Sequence, residues 1–128
     1  MKTLSLILAL TFTVMFPSPS FAGWKWVSEN VKGSTYYVDF ERIRKHDGYV
    51  YWWDLIDLLQ PDKEGDLSSK SYYQGDCMLF RYKYLSISFH KEPMGGGTGN
   101  TSTYNDDDWR YPPPDTGIEL KLKQVCSR

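Results

Sequence analysis

Reactive side chains are scarce in this sequence. It has two cysteines and two histidines in 128 residues, and the histidines, His46 and His90, are isolated from one another. Neither has a cysteine, histidine or carboxylate neighbour at ligand spacing, which argues against a metal site and a histidine base. The Gly-x-Ser-x-Gly elbow of serine hydrolases is also missing. We therefore assign no catalytic, cofactor-binding or metal-binding residue and expect a protein that is not an enzyme.

An excess of positive charge is missing as well. The formal net charge is −1, and no stripe of lysine and arginine stands out. Because phosphate backbones and anionic membranes attract clustered positive charge, the composition argues against binding to nucleic acid or to a membrane surface. Aromatic residues, by contrast, are plentiful, with 5 tryptophans and 10 tyrosines. We expect a domain this small to leave some of them exposed, where they are good binding anchors.

Two polar stretches resemble ligand-binding loops in composition only. Residues 95–99 read Gly-Gly-Gly-Thr-Gly, but no Lys-Ser or Lys-Thr follows at P-loop spacing, and Asn100 stands where a dinucleotide fingerprint needs glycine. Residues 105–108 read Asn-Asp-Asp-Asp and lack the spacing of an EF-hand. A flexible loop and a solvated acidic turn are expected there, and no cofactor is predicted.

The longest apolar stretch stands near the beginning of the chain. A lysine precedes apolar residues 4–16, two prolines follow, and residues 20–22 have small side chains at the −3 and −1 positions of a cleavage site. The stretch is shorter than the roughly 20 apolar residues of a membrane-spanning helix. We therefore predict a secretory signal peptide over residues 1–22, cleaved between Ala22 and Gly23.

The remaining residues, 23–128, are enough for one domain but not two. No cysteine lies at the predicted cleavage site, so we expect a periplasmic or secreted protein that is not a lipoprotein and has no membrane anchor after cleavage. In an oxidising compartment, Cys77 and Cys126 most simply form one disulfide, and closing a loop of about 50 residues contributes about 4 kcal/mol. Two free thiols and an intermolecular bridge are the alternatives.

Most of the chain has the composition of β-strands. Tyr49–Leu59 is the longest predicted strand, and it follows a hairpin turn at Asp47-Gly48. Apolar residues on both of its faces predict a central strand that is covered on each side. The other predictions are strands over residues 24–27 and 34–40, a loop over 60–70, a strand beginning at 71–74, an alternating strand over 78–89 and a mobile loop over 93–105.

The last segment fits both the alternation of a strand and one face of a helix. Asp115 as the N-cap, with Thr116 and Glu119 at the spacing of a capping box, favours the helix. Several strands followed by one helix predict an α+β fold. The expected architecture is a small antiparallel β-sheet of about five to six strands with a C-terminal helix packed on one face.

A set of short motifs follows in order along the chain after residue 23. They are Trp24, Thr35-Tyr36-Tyr37-Val38-Asp39 with Ile43, Val50-Tyr51-Trp52, Ser68-Ser69-Lys70, Asp76-Cys77, Arg81-Tyr82, Trp109, a Pro-Pro-Asp-Thr turn and Val125-Cys126. This set resembles the bacterial surface-adhesin protein E family. The resemblance implies a sheet packed by a C-terminal helix, a disulfide that fixes the helix to the sheet, a protein ligand such as vitronectin or laminin, and a homodimer.

Typical members of that family are lipoproteins, whereas this chain lacks the cysteine that would be acylated. Two functions therefore stay open. One is a binding module in which exposed aromatics of the sheet, with the loop over residues 60–70, contact a protein; its binding residues are unknown. The other is a periplasmic structural or envelope protein with no host ligand. A small hydrolase is a third hypothesis that no arrangement of residues supports.

Overall fold

One antiparallel sheet and one helix make up the fold in the computed structural model, which describes residues 23–104 and 108–128. The elements are β1 (Trp24–Glu29), β2 (Thr35–Asp39), a 3₁₀ turn (Phe40–Arg42), β3 (Arg44–His46), β4 (Tyr49–Asp57), β5 (Ser68–Asp76), β6 (Arg81–His90), a second 3₁₀ turn (Pro93–Gly95), β7 (Gly99–Thr103) and α1 (Gly117–Cys126). The strand order is β1-β2-β4-β5-β6-β7, with β3 also paired to β4. The predicted α+β fold is confirmed, and the predicted signal peptide lies outside the described residues.

Strand β4 occupies the middle of the sheet, as its sequence predicts. It pairs with β5 on one edge, while β2 and β3 share its other edge. A two-residue turn at Asp47-Gly48 joins β3 to β4, and both residues have positive φ angles, 51° and 81°. That backbone is the one a tight hairpin turn requires, and Asp-Gly adopts it readily.

The core lies between α1 and the face of the sheet that the helix covers. Trp52 and Tyr73 stack at its centre, with ring centroids 4.9 Å apart and planes inclined by 15°. The other buried members of this apolar cluster are Val27, Val38, Val50, Tyr82, Leu122 and Val125. Because each buried large side chain contributes about 1.5–3 kcal/mol, this cluster is what holds the helix against the sheet.

The C-terminal segment is helical, as its capping signal predicts, but the N-cap is one residue later than expected. Thr116 accepts a hydrogen bond from the Glu119 N–H at 3.3 Å, so Thr116 and not Asp115 is the N-cap. Asp115 has a φ of +61° and belongs to the turn before the helix. The helix ends beside the disulfide between Cys77 and Cys126, whose Cα atoms are 5.7 Å apart.

The hairpin of β5 and β6 differs from the sequence-based prediction. Strand β5 begins at Ser68, inside the predicted loop, and residues 77–80 form a turn rather than the beginning of β6. The Asp76 carboxylate fixes that turn by accepting from the N–H groups of Met78 and Leu79, both at 3.1 Å. A short side chain that accepts bonds from the backbone ahead of it favours a turn over continued strand pairing.

A bulge in β6 also makes the predicted alternation of that strand wrong. Tyr73 pairs with Tyr84, whereas Tyr72 pairs with Ser86, so β6 has one extra residue at Leu85. The extra residue reverses the facing of every side chain after it. Ile87 therefore lies on the same face as Tyr84, not on the opposite one.

Part of the predicted mobile loop is a strand. Residues 99–103 form β7 and pair with β6, from His90 opposite Gly99 to Ser86 opposite Thr103. Glycine is needed at position 99 because a Cβ there would come within 2.5 Å of the His90 ring. The Gly-rich and Thr-rich composition of this segment did not predict a strand, because the strand forms only through its pairing with β6.

Candidate functional site

Aromatic side chains line the face of the sheet that α1 does not cover. Tyr49, Tyr51 and Trp53 alternate along β4 with the buried Val50 and Trp52, because successive strand residues point to opposite faces. Two further half-buried rings extend this set. We call the five aromatic residues together the open face: Tyr49, Tyr51, Trp53, Tyr72 and Trp109.

The rings of the open face contact one another. Tyr72 of β5 lies opposite Trp53 in the strand pairing, with ring centroids 4.7 Å apart, and 6.2 Å from the ring of Tyr51. Trp109 lies against Tyr49 at 5.5 Å. Four of the five rings are held by strands β4 and β5, and each ring contacts a neighbouring ring, so the surface is preorganised for contact.

Trp109 reaches this surface through a backbone bridge. The N–H groups of Tyr82 and Arg110 each donate to the other residue's carbonyl, at 2.9 and 2.8 Å. This bridge aligns Trp109 with the beginning of β6, where the Arg81 guanidinium and the Lys83 ammonium lie 4.3 and 4.5 Å from its ring centroid. Cations at such distances are attracted to the electron-rich face of an indole.

Arg81 is neutralised by Asp76, whose carboxylate lies 2.9 Å from the guanidinium. Burial opposes ionisation of Asp76, yet the hydrogen bonds from the Leu79 N–H and from Arg81 hold its pKa below the ordinary value. The same carboxylate therefore pairs with Arg81 and accepts the backbone hydrogen bonds of the β5–β6 turn.

A small cavity opens beside the open face. Arg44, His46, Tyr51 and Tyr72 line it, and its volume is about 230 Å³. Burial raises the pKa of the Tyr72 phenol above its ordinary value of 10.0, and the positive charge of Arg44 partly offsets that effect. We call this cavity the Arg44 pocket.

The other end of the same sheet face is covered by the second 3₁₀ turn. The Met94 N–H donates to the Asp57 carboxylate at 2.7 Å, and the Gly95 N–H donates to the Ser68 hydroxyl at 2.8 Å. Leu55, beneath this turn, is fully buried. The predicted coverage of β4 on each side is therefore correct at Leu55 and wrong from Tyr49 to Trp53.

The loop that the sequence suggested as part of the site bonds elsewhere. Leu67 donates to the carbonyl of His90 at 2.8 Å, and the Asp66 carboxylate lies 3.0 Å from the Lys91 ammonium. These bonds hold the loop to the end of β6.

The two histidines lie apart. His46 ends β3, and His90 ends β6, where it is buried and its ring nitrogens lie 2.8 Å from the Ser88 hydroxyl and 3.2 Å from the Gly96 carbonyl. Within residues 23–104 and 108–128, no three His, Cys, Asp or Glu side chains are grouped so that they could hold a metal ion. Asn105 and the first two aspartates of the acidic stretch fall outside the described residues.

The sequence of the chain matches a family model. The model, described as surface-adhesin protein E, matches residues 24–127. This chain belongs to the surface-adhesin protein E family. The resemblance seen in the short motifs is thereby confirmed over the whole fold described above. A search of curated proteins by sequence found no match for this family member.

Solved structures with the same fold come from Haemophilus influenzae protein E. Crystal form II is 19% identical in sequence, has a TM-score of 0.59 and covers 83% of this chain and 88% of its own. Another structure of protein E is 20% identical, with a TM-score of 0.59 and coverages of 83% and 85%. Protein E from a non-typeable strain is 20% identical, with a TM-score of 0.56 and coverages of 83% and 76%. At these identities the likeness shows the shared fold.

The surface-adhesin protein E family is described by adhesion and not by an enzymatic activity. The described residues contain no helix that is long and apolar enough to cross a membrane.

Proposed function

We propose that this member of the surface-adhesin protein E family is an exported, non-enzymatic binding module whose open face contacts a protein partner. The observation that carries the proposal is a set of five half-buried aromatic rings on a sheet face that the helix leaves uncovered. Tyrosine and tryptophan are enriched at interface hot spots because they bury large area with little loss of side-chain freedom.

Export follows from the predicted signal peptide. Residues 1–22 are removed after Ala22, and the domain beginning at Gly23 is released without a lipid anchor. The partners that the family resemblance implies are a vitronectin-like or laminin-like protein and a second copy of the chain. Each of them presents protein surface, which is the chemistry that the open face fits.

The proposal is tested by truncating one ring of the open face and one ring outside it. The mature chain with Trp53→Ala is compared with Tyr104→Ala, which removes an exposed ring near Tyr84, outside the open face. Binding to immobilised vitronectin, to laminin and to proteins of a periplasmic extract is measured by surface plasmon resonance.

Trp53→Ala should weaken binding to the partner about tenfold or more, as expected for an interface hot spot, while Tyr104→Ala changes it little. Circular dichroism checks that both variants are folded. No binding to any of the three preparations, or equal losses in the two variants, would count against the proposal.

A second candidate is a periplasmic structural or envelope protein with no host ligand. The observation that favours it is the lack of a cysteine beside the predicted cleavage site. Fractionation of the cells that make the protein separates the two candidates. A protein confined to the periplasm cannot act as an adhesin, whereas surface-exposed or secreted protein supports the first candidate.

A further inference from the structure

We propose that the Arg44 pocket binds a carboxylate side chain of an acidic segment in the protein partner. This inference rests on the proposed function and specifies the chemistry that the open face recognises. The pocket joins a guanidinium and an imidazole to the phenol rings of Tyr51 and Tyr72, next to the ring of Trp53. A segment of the partner with an acidic residue next to an apolar one would place its carboxylate at Arg44 and its apolar side chain against the aromatic rings.

The strand pairing holds the walls of the pocket in place. Arg44 of β3 lies opposite Tyr51 of β4, and Tyr72 of β5 lies opposite Trp53. Three neighbouring strands therefore supply the lining, and none of it depends on a long loop. A site built on strands loses little conformational entropy when a ligand binds.

The charge of Arg44 is not paired within the part of the chain that the structure describes. Within residues 23–104 and 108–128, no carboxylate forms an ion pair with its guanidinium. Arg42 and Arg81, by comparison, pair with Asp39 and Asp76. The exposed guanidinium keeps a planar set of N–H donors that matches the two oxygens of a carboxylate.

The surroundings of Arg44 favour one carboxylate over a polyanion. The formal net charge of the chain is −1, and nucleic acids and sulfated polymers are held by many cations at once. A cavity of about 230 Å³ admits a side chain and is smaller than the roughly 300 Å³ at which small-molecule sites begin. Aromatic walls exclude water from part of the contact, which strengthens the attraction between guanidinium and carboxylate.

The test uses a short peptide in which glutamates flank a phenylalanine, and the same peptide with glutamine in place of glutamate. Each is titrated into the mature chain, and binding is followed by NMR shifts of the backbone amides and of the arginine side chains. Arg44→Gln is compared with Lys32→Gln, which removes the same charge from the exposed turn between β1 and β2.

The glutamate peptide should shift the NMR signals of Arg44, Tyr51 and Tyr72. Arg44→Gln should lower the affinity for this peptide about tenfold, whereas Lys32→Gln should change the affinity by no more than about twofold. Equal binding of the glutamine peptide, or equal losses in both variants, would overturn the inference. A heparin fragment that binds through Arg44 when the glutamate peptide does not would overturn it too, in favour of a sulfated glycan.

The outcomes separate this inference from the proposed function. If a protein partner is captured through Trp53 but is indifferent to Arg44→Gln, the carboxylate site is wrong and the binding module stands. If the glutamate peptide binds at Arg44 and no protein partner binds the open face, the proposed function fails and the carboxylate site is retained.

Discussion

Lys121 of α1 donates a hydrogen bond to Asp54 of β4, and both side chains are buried, with exposed fractions of 3% and 0%. The Lys121 ammonium also lies 5.2 Å from the ring centroid of Tyr36 and 5.8 Å from that of Tyr73. One oxygen of Asp54 has no hydrogen-bond partner among the described residues. A buried ion pair thus joins the helix to the central strand, 67 residues away in sequence.

Removing the cation from this pair is expected to destabilise the fold strongly. Lys121→Met leaves the Asp54 carboxylate buried and uncompensated, which typically costs about 3–5 kcal/mol. Urea unfolding at neutral pH measures the loss. Lys123→Met, on the exposed side of the same helix, should change the free energy of unfolding by no more than about 0.5 kcal/mol. Similar losses in the two variants would contradict a special role for the buried pair.

The cost of Lys121→Met should depend on pH. Burial raises the pKa of Asp54 above 3.8, and Lys121 opposes that rise through its charge and its hydrogen bond. A group whose pKa is higher in the folded state than in the unfolded state stabilises the fold when it is protonated. This contribution is complete at pH values below the unfolded-state pKa and is lost as the pH rises through the folded-state pKa. The variant lacks the opposing lysine, so its Asp54 takes up a proton at higher pH.

The gap in unfolding free energy between wild type and Lys121→Met is therefore expected to narrow from about pH 7 to about pH 4. Urea titrations at both pH values measure it. A gap that stays constant or widens on acidification would show that the loss comes from packing and not from the buried charge.

The disulfide is expected to form in the exported protein and to contribute about 4 kcal/mol, because it closes a loop of 49 residues in sequence separation. Peptide mapping without reductant should recover a fragment that joins Cys77 to Cys126. Cys77→Ala with Cys126→Ala should unfold at a lower urea concentration, as should the reduced wild type. Two alkylatable thiols in the purified protein would refute the bond.

Gly75 is required where β5 passes the core. A Cβ there would come within 2.7 Å of the Trp52 ring and 2.9 Å of Val50. Gly75→Ala should therefore cost about 1–3 kcal/mol in unfolding free energy by overpacking. Gly117→Ala is the matched control, because a Cβ there meets nothing closer than 3.7 Å. Equal midpoints of thermal unfolding for the two variants would contradict the overpacking argument.

Local signals predicted much of the fold correctly. The Asp47-Gly48 turn, the central position of β4 and the terminal helix were each expected, because turn chemistry, apolar composition and capping act over a few residues. At the helix N-terminus these local signals located the cap to within one residue. Thr116 and Asp115 are both capable caps, and the positive φ of Asp115 in the turn decides between them.

Contacts between distant residues account for what was missed. The register shift between Tyr72 and Tyr73 and the pairing of residues 99–103 with β6 depend on neighbouring strands. Trp109 reaches Tyr49 only because Arg110 bridges to Tyr82 across the sheet edge. Nothing in the sequence around Trp109 indicates that partner.

The sequence predicted the type of residue in the candidate site but not its location on the fold. The number of tyrosines and tryptophans indicated exposed aromatic anchors, whereas the apolar residues on both faces of β4 predicted that Tyr49, Tyr51 and Trp53 would be covered. Arg44 gave no signal, since an arginine in a short strand usually faces solvent without a role. Its position beside Tyr51 and Tyr72 follows from the pairing of three strands.

The residue types and their local order are enough to specify a β-rich domain with a terminal helix, two cysteines suited to pairing and a surplus of aromatic rings. Which rings stay accessible depends on where α1 and the second 3₁₀ turn pack. The helix buries Trp52 and Tyr73, and the turn buries Leu55, while Tyr51, Trp53 and Tyr72 keep access to solvent. Side chains of similar chemistry on alternate positions differ only in what covers them, and that is a property of the folded chain.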